Sequence, residues 1–167
     1  MKTVQVVGYK NSGKTTLSSF IIKNLTNHGL EVAALKHHGH GGVPSSQENT
    51  DSAKHHQAGA VIAGVQGDDI LQLTIQKSTW NIKKIIDFYS IINPDVLVIE
   101  GFKNLDYPKI VMIRSEEDVH LLDKLTNVKA VITDIKLSKH QSYQIFTIKR
   151  KEELIEWLLT QFKSKQF

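Results

Sequence analysis

The 167-residue chain is 40% hydrophobic and 23% charged, which is ordinary for a globular protein, and its length predicts a single domain over residues 1–167. It contains no cysteine, which excludes disulfides and thiolate metal sites. No apolar run approaches the ~20 residues of a membrane helix. We therefore expect a cytoplasmic protein without a signal peptide or a membrane partner. The net charge of +4 comes mostly from scattered lysines, without a basic stripe that interleaves with aromatic residues, and this argues against nucleic-acid binding.

The first predicted strand and helix enclose the most informative motif. An apolar run over residues 3–7 ends at Gly8, and after four further residues come Gly13, Lys14 and Thr15, which completes the phosphate-binding pattern G-x-x-x-x-G-K-[ST]. The apolar residues that follow at helical spacing are Leu17, Phe20, Ile21 and Leu25. Strand, loop and helix come in the order that this motif requires, so the sequence predicts a nucleotide-phosphate site.

Each position of this loop has a physical role. Gly8 lets the chain turn off the strand, and Gly13 lets the backbone approach a phosphate with no Cβ in the way. Successive backbone N–H groups then face an anion at the N-terminus of a helix, where the dipole also favours negative charge. Lys14 reaches the outer phosphates, and the Thr15 hydroxyl is the kind of hard oxygen that Mg²⁺ prefers.

A second strand is predicted over residues 31–36, and a histidine-rich stretch from His37 to Thr50 follows it. Loops of this length inside a compact domain tend to be functional. His37, His38 and His40, with the pair His55-His56, are five of the eight histidines of the chain. Binding of Zn²⁺ or Ni²⁺ is one interpretation, and a loop that hydrogen-bonds phosphate or substrate is the other.

Residues 51–75 are predicted to form a short helix and a hairpin. Asp51 and Ser52 can cap a helix that reaches residues 58–59. Two strands over 60–65 and 70–75 flank Gly67-Asp68-Asp69, a hairpin pattern. In the second strand apolar and polar residues alternate, so one face meets water or a partner.

Glu100 is the second anchor of the predicted site. Residues 81–92 form a helix that Asn93-Pro94 ends, and residues 95–100 form a strand whose centre is wholly apolar, as in strands buried on both faces. Ligands of open α/β sheets lie at the carboxyl ends of the strands, and a carboxylate there can hold Mg²⁺. Asp51 is either a helix cap alone or also an acid that supports this metal, and both interpretations stay open.

The last third of the chain continues the alternation. Strands are predicted over 109–113, 128–133 and 145–148, and helices over 116–125 and 152–162. The whole pattern predicts a three-layer α/β fold with a mostly parallel sheet. Asp134 ends the second of these strands, where many GTPases present an acid to guanine; without Asn-Lys-x-Asp surroundings, a turn-forming role is favoured and base recognition is the alternative.

Four blocks of the sequence, in family order, closely resemble the molybdopterin-guanine dinucleotide biosynthesis protein B (MobB) family, which are P-loop GTPases of the SIMIBI class. The blocks are residues 5–16, residues 35–42, Asp51-Ser52 with residues 58–60, and residues 98–103. They cover the first two-thirds of the chain, and the region beyond about Ser115 carries no such block. One departure is Lys54-His55-His56, where the resemblance would lead us to expect more arginine.

The resemblance implies a GTP-binding, Mg²⁺-dependent homodimer with weak GTPase activity, which assists a partner molybdopterin guanylyltransferase (MobA-like) in attaching GMP to molybdopterin. Carried over by position, it assigns phosphate binding to Asn11, Ser12, Gly13, Lys14, Thr15 and Thr16, and it places the loop that begins at His37 toward the nucleotide or pterin. Gly8, where the motif begins, is a further candidate for nucleotide binding. Asp134 lies beyond the matching blocks and is a candidate guanine contact only from its place at the end of a strand. Thr15 and Glu100 would hold Mg²⁺, with Asp51 as a further candidate. Lys14 and Glu100 are the candidate catalytic residues, and the hairpin with strand 70–75 is the candidate dimer surface.

Three alternatives to this function remain. A nickel- or zinc-delivering GTPase shares the phosphate loop, although the missing cysteines and the missing long histidine tail argue against it. A small-molecule P-loop kinase usually brings arginines over the transferred phosphoryl group, and this chain offers only Arg114 and Arg150. An adaptor without useful turnover is the third; because no residue near the loop is an obvious positioner of water, we expect hydrolysis well below the ~1–100 s⁻¹ of kinases.

Overall fold

The computed structural model describes residues 1–38, 50–78, 80–137 and 142–164. Within these ranges the α-helices and strands, in chain order, are β1 (Lys2–Gly8), α1 (Lys14–Asn27), β2 (Val32–Lys36), α2 (Asp51–Gln57), β3 (Ile62–Gly67), β4 (Ile70–Ile75), α3 (Ile82–Ile91), β5 (Val96–Glu100), β6 (Lys109–Met112), β7 (Val128–Ile132), β8 (Gln144–Phe146) and α4 (Glu152–Lys163). Two short 3₁₀ helices cover Glu116–Leu121 and Ile148–Arg150. The chain divides into two compact units, one made of Met1–Gly39 and Tyr89–Phe167, the other of His40–Phe88.

The first unit is built on a six-stranded sheet in the order β2-β5-β1-β6-β7-β8, with every neighbouring pair parallel. The predicted α/β fold with a mostly parallel sheet is therefore confirmed. Glu100 is in register with Val6 on one side and with Lys36 on the other. Parallel strands bring their carboxyl ends to one edge, so the ends of β1, β2 and β5 lie together there.

Two apolar clusters cover the two faces of this sheet. Successive side chains of a strand point to opposite faces, and Val6 and Val7 accordingly enter different clusters. The larger cluster joins the sheet to α1 and α4 through Ile21, Leu25, Leu154 and Leu158. The smaller one joins Val7 and its neighbours to Leu121 of the first 3₁₀ helix. The chain thus forms layers on both sides of the sheet, as the alternating pattern predicts.

The second unit contains α2 and the antiparallel hairpin of β3 and β4. The hairpin turns at Asp68, which has φ 48°, a left-handed conformation that aspartate tolerates. One expectation is wrong in detail, since Thr50 rather than Asp51 is the N-cap of α2. The Thr50 side chain accepts a hydrogen bond from the Ala53 N–H at 3.3 Å, whereas Asp51 is already the first helical residue.

Two other elements differ from their predicted extent. The helix expected over 116–125 is the 3₁₀ helix Glu116–Leu121, which begins at a capping box of Ser115 and Asp118. The strand expected over 145–148 is β8, which ends at Phe146 because Ile148 already begins the next 3₁₀ helix. In the part of the chain that the structure describes, no helix is long and apolar enough to cross a membrane.

Candidate functional site

The phosphate-binding motif forms a tight loop between β1 and α1. Asn11 and Gly13 have φ angles of 60° and 93°, and Gly13 is the N-cap of α1. A Cβ on Gly8 would lie 2.7 Å from Ser12 Oγ and 3.0 Å from the Met112 carbonyl oxygen, so only glycine fits there. The first turn of α1 carries no acidic residue and no side-chain cap. Its free N–H groups therefore form a site for an anion.

Thr15 and Glu100 meet at the edge of the sheet, as the motif reading predicts. The Thr15 hydroxyl donates a hydrogen bond to Glu100 Oε1 at 2.8 Å. Glu100 is only 8% exposed at the end of β5. The ammonium of Lys36, at the end of β2, contacts both groups, 2.9 Å from Thr15 Oγ1 and 3.1 Å from Glu100 Oε1. Lys36 is a member of this cluster that sequence reasoning missed, although its place at the end of a parallel strand was a usable clue.

This cluster fits a divalent cation. Two oxygens bound in adjacent positions of an octahedral Mg²⁺ at ~2.1 Å lie ~3 Å apart, close to the separation of Thr15 Oγ1 and Glu100 Oε1. Both are hard oxygen donors, which Mg²⁺ prefers. The Lys36 ammonium already bridges these two oxygens, so the pair attracts a positive charge in this position. The donor set therefore suits Mg²⁺ beside a nucleotide phosphate.

Lys14 follows the last glycine of the loop, and its ammonium folds back to donate to the Tyr9 carbonyl oxygen at 2.5 Å. Burial lowers the pKa of Lys14 below its ordinary value of 10.5 because desolvation disfavours the charged form. The carboxylate of Glu100 acts in the opposite direction, and the neighbouring charges of Lys103 and Lys36 lower the pKa further. Lys14 thus lies among other positive charges, and a bound phosphate would reduce the repulsion between them.

Lys103 belongs to this positively charged site, although the sequence alone suggested an ordinary surface charge. Its ammonium lies 4.1 Å from the centroid of the Tyr9 ring, within cation–π distance. The Tyr9 hydroxyl in turn lies 2.7 Å from His120 Nε2. Tyr9 therefore links the phosphate loop to the loop after β5 and to the 3₁₀ helix.

The loop after Glu100 is hydrogen-bonded to the side chain of Gln5, in the neighbouring strand β1. Gln5 is fully buried, and its side-chain amide donates to the carbonyl oxygens of Gly101 and Phe102 at 2.7 and 2.6 Å. Phe102 has a φ angle of 53°, which is strained for a bulky side chain, whereas Gly101, with φ 90°, adopts its conformation without strain. The only clue in the sequence was a polar residue in the middle of an apolar strand. Gln5 is a positioning residue for the end of β5.

His37 lies beside the same turn. Its N–H donates to the Glu100 carbonyl oxygen at 2.9 Å, and its ring packs on Phe102 with centroids 4.3 Å apart. A Cβ on Gly101 would lie 3.0 Å from His37 Cβ, so the glycine makes room for the histidine. His37 thus lies beside the end of β5, and its role toward a nucleotide or pterin stays a prediction. Residues 39–42 of its loop lie outside the described residues. In the described ranges, no group of three or more His, Asp or Glu side chains is placed to hold a metal ion.

Asp51 pairs with a lysine of its own helix, and Asp134 accepts a hydrogen bond from a backbone N–H of its own unit. Asp51 lies in the second unit, is exposed, and pairs with Lys54 at 2.8 Å. Its metal role stays a prediction. The Asp134 carboxylate accepts a hydrogen bond from the Ile148 N–H at 3.1 Å, which ties the end of β7 to the second 3₁₀ helix. This contact is the turn-forming role that the sequence favoured, and guanine recognition by Asp134 stays a prediction.

We expect the titration of Lys14 to reveal the charges around the loop. In NMR spectra of protein labelled at lysine ¹³Cε, the Lys14 midpoint should lie below the ordinary lysine pKa of 10.5. Glu100→Gln should lower the Lys14 pKa further because it removes the stabilising charge, whereas Lys103→Met should raise it. A bound phosphate stabilises the ammonium, so nucleotide should also raise it. A Lys14 midpoint that neither variant moves would contradict this electrostatic arrangement.

Comparison with known proteins identifies the family. The family model described as "Molybdopterin guanine dinucleotide synthesis protein B" (MobB) matches residues 3–134. The probable molybdopterin-guanine dinucleotide biosynthesis adapter protein of Bacillus subtilis (strain 168) is 39% identical over 146 residues, which are 86% of this chain and 83% of that protein.

Two solved structures agree over nearly the whole chain. The X-ray structure of a MobB homolog from Bacillus stearothermophilus has a TM-score of 0.79 at 32% identity and covers 98% of this chain and 99% of its own. The crystal structure of Bacillus subtilis MobB has a TM-score of 0.79 at 36% identity, and the match covers 96% of this chain and 98% of that one. The family model, the curated relative and the solved structures agree over most of the chain, and the phosphate loop is present in the fold. The chain therefore belongs to the MobB family.

Proposed function

We propose that this protein is a GTP- and Mg²⁺-binding adaptor of molybdopterin guanine dinucleotide synthesis, which assists a molybdopterin guanylyltransferase (MobA-like) in attaching GMP to molybdopterin. The observation that carries the nucleotide part is the cluster of Thr15 and Glu100 beside the phosphate loop, with oxygens 2.8 Å apart. The relatives' names support the pathway, since they are called biosynthesis adapter proteins. Since those names concern cofactor biosynthesis, the proposal places the protein in the cytoplasm.

Each residue of the site has one task in this function. The backbone N–H groups of the loop from Asn11 to Thr16 and the start of α1 bind phosphate oxygens. Lys14 leaves the Tyr9 carbonyl to neutralise the outer phosphates. Thr15 and Glu100 are the residues that would hold Mg²⁺, which supplies charge neutralisation between the phosphates and the buried carboxylate.

We further propose that turnover is slow and that the protein acts mainly by binding. The described part of the site supplies charge neutralisation and positioning, through Lys14 and the Thr15–Glu100 pair. Hydrolysis by the protein alone should remain well below the ~1–100 s⁻¹ of kinases. This places the guanylyl-transfer chemistry in the partner enzyme.

A homodimer completes the proposal, and the hairpin offers a surface for it. The register of β3 and β4 puts Ile62, Leu71, Leu73 and Ile75 on one face, which we call the apolar hairpin face. Leu71 is 63% exposed and Ile62 59% exposed. The opposite face carries Ala63, which is buried, and Val65, Gln72 and Thr74, which line a pocket together with residues of α2. An isolated two-stranded sheet is marginally stable, so a second copy on the apolar hairpin face would stabilise it.

A Mg²⁺-dependent titration tests the proposed function. Labelled GTP should bind in the presence of Mg²⁺, and unlabelled GTP and molybdopterin guanine dinucleotide should displace it more strongly than ATP does. Weak or undetectable binding of GTP, or a preference for ATP, would contradict the proposal and favour a kinase. Stoichiometric binding of Ni²⁺ or Zn²⁺ through His37 and His38 would favour a metallochaperone instead.

A further inference from the structure

A cavity of about 130 Å³ adjoins the phosphate loop. Gly13 of the loop and Leu17 of α1 form one wall, and Met112 and Ile132, at the ends of β6 and β7, form another. β6 and β7 lie on one side of β1, whereas β5, with Glu100, lies on the other. A nucleotide held by the loop would therefore have its metal-binding phosphates toward β5 and this cavity available for its base.

The hydrogen-bonding groups of this cavity are unusual for a guanine site. Apart from the Thr16 hydroxyl, the polar side chains that line it are Arg114 and Lys151, and both are donors without any acceptor. No carboxylate or amide side chain is among the described residues that line it. Guanine recognition through its N1 and N2 hydrogens needs an acceptor, and among the described polar side chains of the lining only the Thr16 hydroxyl can accept.

Asp134 shapes this cavity indirectly. Its carboxylate accepts the N–H of Ile148, and Ile148 is one of the lining residues. The carboxylate thus holds the cavity wall at the end of β7. A nucleotide base in the cavity would therefore be contacted by one of the side chains that line it.

Arg114 is well placed for that task. Its own N–H donates to the Asp118 carboxylate at 2.9 Å, which fixes the backbone from which the side chain projects. Within the described residues its guanidinium has no hydrogen bond or ion pair, whereas the Lys151 ammonium lies over the Phe20 ring at 4.5 Å. The guanidinium is a planar fork of donors that suits two adjacent acceptors.

Building on the proposed function, we propose that Arg114 selects guanine by donating to its O6 and N7 atoms. Guanine presents two adjacent acceptors on that edge, and adenine presents the N7 acceptor beside an N6 amino donor. Two donors would face one another if adenine took the same position, so ATP is disfavoured. The Watson–Crick edge, with N1 and N2, is then left unread.

This edge assignment has a sharp consequence for base analogues. Inosine keeps O6 and N7 and lacks only the N2 amino group, so ITP should bind about as well as GTP. 7-Deaza-GTP lacks the N7 acceptor, so it should bind more weakly. ATP should bind roughly tenfold to a hundredfold more weakly than GTP, as expected for one bidentate pair.

The experiment measures the dissociation constants of these four Mg²⁺-nucleotides for the full chain and four variants. Arg114→Ala should bring the GTP-to-ATP affinity ratio close to one and keep the part of the affinity that the phosphates supply. Arg114→Lys should retain part of the preference for GTP. Arg150→Ala is the matched control, since Arg150 is the other arginine of the chain and pairs with Glu153. Asp134→Ala should retain equal binding of GTP and ITP.

Two results would overturn the assignment. If ITP binds as poorly as ATP and Asp134→Ala removes the preference, Asp134 reads the Watson–Crick edge instead. If GTP is preferred and Arg114→Ala leaves the ratio unchanged, another group reads the base. In both cases the proposed function stands, whereas binding of no nucleotide, or a preference for ATP in the unaltered protein, overturns the proposed function and this inference together.

Discussion

Lys14→Ala should weaken binding of Mg²⁺-GTP by about a hundredfold or more. The ammonium makes charge-assisted hydrogen bonds with phosphate, and its loss leaves phosphate charge uncompensated in a partly buried loop. The fold should remain intact because the ammonium donates one part-buried hydrogen bond, to the Tyr9 carbonyl, and Lys14 belongs to neither apolar cluster of the core. Isothermal titration measures the affinity, and thermal unfolding checks the fold.

Lys10→Ala is the matched control for this variant. Lys10 is an exposed lysine in the same loop and carries the same charge, so it reports the effect of net charge alone. We expect its effect on GTP affinity to be less than about threefold, because interactions between exposed charges are screened in solution. Equal affinities of the Lys14 variant and the unaltered protein would show that the motif does not hold phosphate.

The double variant Leu71→Asp with Leu73→Asp should convert the proposed dimer to a monomer. Both side chains lie on the apolar hairpin face, and burying two carboxylates there without partners should raise the dimer dissociation constant roughly a hundredfold or more. Sedimentation velocity over a range of protein concentrations would measure the change. The GTP affinity of each protomer should survive, because the phosphate loop belongs to the other compact unit.

An exposed isoleucine outside the hairpin provides the control. Ile92 is 74% exposed and follows α3, so Ile92→Asp makes the same kind of change on a surface for which no partner is proposed. It should leave the sedimentation coefficient unaltered. A monomeric unaltered protein at micromolar concentration, or a dimer that persists in the double variant, would rule out the apolar hairpin face as the interface.

The sequence by itself determined the phosphate loop and the order of the elements. The spacing of Gly8, Gly13 and Lys14 has a local cause, since each acts through backbone geometry or through charge within a few residues. Hydrophobic periodicity is also local, and it predicted every strand of the parallel sheet to within a few residues. Glu100 was found because the end of a buried parallel strand has a known place relative to the ligand.

Caps and short elements followed less well from the sequence. Thr50 and Asp51 are adjacent, and both residue types suit an N-cap. Only the backbone conformation decides which of them caps the N-terminus of α2. The predicted helix at residues 116–125 shortened to a 3₁₀ turn for a similar reason. The capping box of Ser115 and Asp118 specifies where that turn begins, but not how many residues it holds.

The tertiary structure decided the partners of the site. Lys36 bridges Thr15 and Glu100, and Gln5 holds Gly101 from beneath, but these residues are 21 to 96 positions from their partners in the sequence. Contacts of that separation depend on strand order and register, which hydrophobic periodicity does not encode. The same holds for Arg114, since its relation to the phosphate loop arises only when β6 is placed beside β1. The chemistry of the phosphate loop is thus determined locally, and the charges and walls around it are determined by the sheet.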